Sequence, residues 1–118
     1  MPKPESWLKV TPKGLYCVPG DFFIDPHSGV DRAIVTHGHG DHARPGHRST
    51  LATAETLAIS AIRMGERAWK QTQAIAYQER IRLGDVEVEL FPAGHVLGSA
   101  QVAMEYKGSR IVVSGDYK

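Results

Sequence analysis

Apolar and polar positions alternate most regularly in the second half of the chain. Val86, Val88 and Leu90 fall on one side of an extended segment, with Asp85, Glu87 and Glu89 on the other. That is the period-two pattern of a half-buried strand. Val102, Met104 and Tyr106 repeat it. Lys107-Gly108 predicts a turn into Ile111-Val112-Val113, an apolar run suited to a more deeply buried strand. In the first half, Trp7 to Thr11 and Leu15 to Val18 read as short strands around the turn Pro12-Lys13-Gly14. Phe22-Phe23-Ile24 ends at Asp25-Pro26, and Ala33-Ile34-Val35 runs into His37. Thr50-Leu51-Ala52 leads into the one clear helix. Thr53 can cap it, Ala54, Leu57, Ala58, Ala61 and Ile62 form an apolar stripe, and Gly65 marks the stop. From residue 66 to 79 the pattern fades, although Trp69, Ala74, Ile75 and Tyr77 are expected to be buried. Many strands around one helix predict a sheet-rich α/β layer.

The 118 residues predict a single domain. With 42% apolar and 23% charged residues, the chain is not disordered, collagen-like or a disulfide scaffold. No apolar run approaches the roughly 18 residues of a membrane span, so no membrane partner is expected. Cys17 is alone, which fits a reducing cytoplasm. A net charge of +1 announces no basic face, so any claim of nucleic-acid binding must rest on a site.

That site is suggested by Thr36-His37-Gly38-His39-Gly40-Asp41-His42, just after a strand. Histidines two apart on extended chain project to the same side. Gly38 and Gly40 let the backbone turn, so that Asp41 and His42 can point elsewhere. One short loop could serve two adjacent divalent metals. Imidazole with carboxylate suits zinc, with manganese or iron as alternatives. His95 follows the alternating strand and Asp116 follows the Ile111 run, each beside glycine. Loops at one sheet edge could therefore gather them. The competing readings are ordinary polar loops and, for Asp25, a turn before Pro26.

The order Asp25, His37 to His42, His95, Asp116 resembles the first four motifs of the metallo-β-lactamase superfamily, over essentially the whole chain. The resemblance implies an αββα sandwich, of which residues 1–118 would be the N-terminal half. A second half with a further histidine ligand, and a β-CASP cap, would be absent. It implies two divalent ions, the first on His37, His39 and His95, the second on Asp41 and His42, bridged by Asp116. Asp25 would orient the site from behind, and Asp41 would be the catalytic carboxylate that orients or deprotonates the attacking water. Ala93-Gly94-His95-Val96-Leu97-Gly98-Ser99-Ala100 is similar to the β-CASP nucleases. The stretch from Gly14 to Ala52, with Asp31-Arg32-Ala33 and Asp41-His42-Ala43-Arg44-Pro45-Gly46-His47, resembles the bacterial ligase-associated DNA exonucleases. This implies a phosphodiesterase on nucleic acid, DNA before RNA, acting beside an ATP-dependent DNA ligase and a helicase. An RNA-processing nuclease, a thioesterase-type hydrolase and a non-catalytic metal-binding fragment stay open. Two divalent ions outweigh two carboxylates and a hydroxide, and a positive site favours a phosphodiester. Arg44, His47 and Arg48 are candidate phosphate contacts, against the reading of a solvated loop.

Overall fold

The computed structural model describes residues 2–37, 45–65, 68–93 and 99–114. A one-turn helix α1 (Pro4–Trp7) leads into β1 (Leu8–Thr11), β2 (Gly14–Cys17), β3 (Phe22–Ile24), β4 (Arg32–Ile34) and β5 (Ser49–Ala52). Helix α2 (Ala54–Met64) precedes β6 (Gln71–Ala74), β7 (Arg80–Leu83), β8 (Val86–Pro92), β9 (Ala100–Tyr106) and β10 (Ser109–Ser114). The first six strands form one sheet in chain order, and the last four form a second in the order β10-β9-β8-β7. Pairing is antiparallel from β1 to β3 and parallel from β3 to β6. The second sheet is antiparallel throughout.

The alternating residues do what their period demands. Val86, Val88, Leu90, Val102 and Met104 meet Ile24, Ile34 and Leu51 of the first sheet in one buried cluster. A second cluster joins Val35, Ala52 and Trp69, on the outer side of the first sheet, to Leu57 and Met64 of α2. The layers are thus helix, sheet, sheet, and among the described residues no helix covers the second sheet.

Four expectations need correction. Trp7 closes α1 instead of opening a strand, and its indole N–H donates to Ser109 Oγ at 3.2 Å. Strand β6 lies where the pattern had faded, and β7 directly after it, where no strand was expected. The stripe on α2 is rotated: Thr56 and Ser60 face the sheet, whereas Ala54 and Ala58 are exposed and Ile62 is 85% exposed. Trp69, Leu57 and Met64 already supply the apolar contact beneath the helix, so small hydroxyl residues fill the closest approach. The caps are as expected, with Thr53 Oγ1 accepting from the Thr56 amide and Gly65 at φ +90°. Finally, β10 pairs only with β9 at the sheet's edge, which leaves Val112 half exposed instead of deeply buried.

Candidate metal centre

Parallel strands β3, β4 and β5 deliver their carboxyl ends to one side of the first sheet, the usual place for chemistry in such sheets. The chain leaves β3 through Asp25, whose backbone takes a left-handed φ of +46°. Aspartate tolerates that conformation better than most residues, because its short side chain can bond locally. Here the carboxylate reaches the end of β4. Oδ1 accepts from the Thr36 amide at 2.8 Å, and Oδ2 accepts from the Thr36 hydroxyl at 2.6 Å. Strain at such a position persists only where surrounding contacts fix it. His37 follows directly and is buried, with 1% exposure. Asp25 therefore holds the entry to the segment 38–44.

The other face of Thr36 is used as well. Its carbonyl accepts from the Ala100 amide, the first residue of β9, at 2.8 Å. One residue earlier, the Ser99 carbonyl accepts from the Ala93 amide at 3.2 Å and from the Tyr77 hydroxyl at 2.8 Å. Ala93 and Ser99 are thus bonded to each other, and the next residue, Ala100, is bonded to Thr36. Tyr77 was expected only to be buried; a contact between residues 22 apart leaves no local sequence signal.

The exit of the segment 38–44 is also fixed. The Gly46 amide donates to the Ala68 carbonyl at 2.8 Å. A Cβ at Gly29 would lie 2.8 Å from the Gly46 carbonyl, so the two backbones meet only because both residues are glycine. His47 is buried and stacks on Trp69, with ring centroids 5.9 Å apart at 10°. Its Nδ1 accepts from the Val30 amide at 3.3 Å, which places the proton of the neutral ring on Nε2. Burial lowers the His47 pKa, and the nearby Asp25 carboxylate opposes that shift. His47 is therefore a packing residue, and a phosphate in solvent cannot touch it in this arrangement. Arg48 does face solvent and pairs with Asp31 at 3.2 Å.

No family model matches the chain. Over 106 residues it is 31% identical to a probable DNA ligase of Opitutus terrae, covering 89% of this chain and 10% of that protein. It is 30% identical to a ribonuclease of Thermus thermophilus, covering 80% of this chain and 27% of the relative. The chain thus spans only a small part of each. Among solved structures it superposes on a metallo-β-lactamase of Cronobacter sakazakii with a TM-score of 0.60 at 15% identity. That match covers 91% of this chain and 54% of the enzyme. The chain has the metallo-β-lactamase fold.

In metallo-β-lactamase terms, the described residues include only part of the expected ligand set. Of the predicted set, Asp25 braces Thr36 and His37 is buried just past the end of β4. His39, Asp41, His42, Arg44, His95 and Asp116 lie outside the described residues. Accordingly no three His, Cys, Asp or Glu side chains converge among the described ones. What is present is compatible with one ligand of a divalent ion, the buried His37 imidazole, with Asp25 bracing the residue before it. A cleft of about 520 Å³ runs along β4, β5 and β6, lined among others by Arg32, Ile34, Ser49, Leu51, Gln71 and Gln73.

Proposed function

We propose that the protein is a metal-dependent nuclease of the β-CASP-like branch, hydrolysing DNA from an end. The role would lie in DNA repair in the cytoplasm, beside an ATP-dependent ligase and a helicase. The observation that carries the reading is the bond from the Ala100 amide to the Thr36 carbonyl, because it ties together the origins of both candidate ligand segments. The match to a protein named as a DNA ligase supports the link to ligation. The ribonuclease relative makes RNA the second reading.

In this reading His37, His39 and His95 would hold one ion and Asp41 and His42 a second, with Asp116 a further ligand, and the ion would be zinc before manganese or iron. Bound there, divalent ions would supply an activated water and neutralise charge on the scissile phosphate. Asp41 orients the water and takes its proton. Asp25 keeps Thr36, and through it His37, in place. Arg48 and Arg44 contact backbone phosphates as the strand approaches.

The test is one panel of single- and double-stranded DNA, RNA, a thioester and a β-lactam, with and without chelator. DNA cleavage that stops in chelator, returns with zinc or manganese and falls by orders of magnitude in Asp41→Asn supports the proposal. Thioester hydrolysis without nuclease activity overturns it.

A further inference from the structure

The first sheet ends at β6 and the second at β7. Between these edges the sandwich opens into the cleft of about 520 Å³, which Gln71 and Gln73 line from β6 and Leu83 from β7. Ile34 and Leu51 point into the core between the sheets. Arg32 and Ser49 stand two residues earlier on the same strands, and residues two apart on a strand share a face. Arg32, Ser49 and Gln71 are register partners across β4, β5 and β6. Each is the first residue of its parallel strand, whereas His37 lies past the far end of β4. This row therefore stands at the end of the sheet away from the candidate metal centre.

The chemistry of the row is one-sided. No Asp or Glu lines the cleft among the described residues, and Arg32 has no ion pair among them. The carboxylate next to it in sequence, Asp31, pairs with Arg48 at 3.2 Å. The Ser49 hydroxyl donates to Gln71 Oε1 at 3.1 Å, which leaves the amide NH₂ of Gln71 to donate to a further partner. The guanidinium adds its donors in a fixed fork that matches a carboxylate. Beside these donors Phe22 and Leu83 supply apolar wall. The volume falls within the roughly 300–1,000 Å³ typical of small-molecule sites. An uncompensated cation with an apolar wall calls for a ligand that is anionic at one end and apolar at the other.

We propose that this cleft binds a small organic carboxylate with an apolar body, its charged end held by Arg32 and Gln71. The site is separate from the candidate metal centre and does not depend on it.

The experiment titrates the 118-residue chain with cinnamate in the presence of a chelator, followed by calorimetry and by backbone amide shifts. The chelator keeps the carboxylate from reporting on a bound metal. Cinnamyl alcohol carries the same body without the charge, and acetate the charge without the body. Cinnamate should saturate and shift the amides of Arg32, Ser49 and Gln71, and both controls should bind about tenfold more weakly or less. Arg32→Gln should lose about tenfold in cinnamate affinity and keep that for the alcohol. Gln71→Ala, at an exposed position, should lose about fivefold and gives the reading should the first variant not fold. No binding of cinnamate, binding no tighter than the alcohol, shifts confined to other residues, or parental affinity in a folded variant overturns the proposal. Each of these outcomes leaves the nuclease reading untouched.

Discussion

The outer faces of the two sheets solve the same problem in opposite ways. On the first sheet, α2 and Trp69 cover the outward residues Val35 and Ala52. On the second sheet, the outward positions form rows of opposite charge. Arg82, Glu87, Glu105 and Arg110 are register partners across all four strands, and Arg80 faces Glu89 in the next row. Arg80 bonds Glu87 at 2.8 Å and Glu89 at 3.4 Å. Alternation is more regular on the second sheet, and the outward residues differ as well. An apolar one demands a layer above it, whereas a compensated charged row tolerates water. The covered face also carries chemistry, because the stack of His47 on Trp69 beneath it fixes the exit of the segment 38–44.

The comparison breaks most severely at Trp69. Trp69→Ala removes the centre of the covered cluster and the stacking partner of His47. It should cost about 3–5 kcal/mol, a large part of the stability of a small domain, as measured by urea unfolding. A loss comparable to that of a surface substitution would mean that α2 is not held by this cluster.

An acid shift probes the same face more gently. The folded His47 pKa is lowered by burial from its ordinary 6.5, so the neutral ring is the form that the fold favours. Its contribution is complete above that ordinary value and is lost as pH falls through the folded one. Urea midpoints should therefore drop on passing from above to below pH 6.5. His47→Phe, which cannot ionise, should show a shallower drop. Equal slopes would remove His47 from the account.

The smallest effect belongs to the open face. Arg80→Ala breaks two ion pairs that water and salt already screen. The melting temperature should stay within the scatter of the parent at moderate salt. A clear loss there would show that the charged rows act as a structural layer.

Much of this was legible in the sequence, for identifiable reasons. The strands β8 and β9 were readable because one of their faces is buried and the other is not. Gln71–Ala74 was not, because an exposed strand at a sheet's edge needs no apolar alternation, and Arg80–Leu83 was not, because its alternation runs over four residues only. The face of α2 was misjudged because Thr56 and Ser60 hold positions usually reserved for larger apolar groups. At the candidate centre, residue types and spacing announced the ligands. The support did not announce itself, since Tyr77 with Ser99 and Thr36 with Ala100 meet only once both sheets are assembled. His47 was grouped with Arg48 as a phosphate contact because they are neighbours in sequence, yet adjacent residues of extended chain face opposite ways.

Asp25 carries a consequence for the tolerance of the chain to change. Its left-handed backbone admits glycine, asparagine and aspartate with ease and penalises nearly everything else. Its two bonds to Thr36 require a side chain with paired polar atoms at one length, which removes glycine. Glutamate adds a methylene and moves those atoms away. In a library of all substitutions, this half-buried position outside any strand should accept asparagine and little more. Its information content would then rival that of a core position such as Ile34.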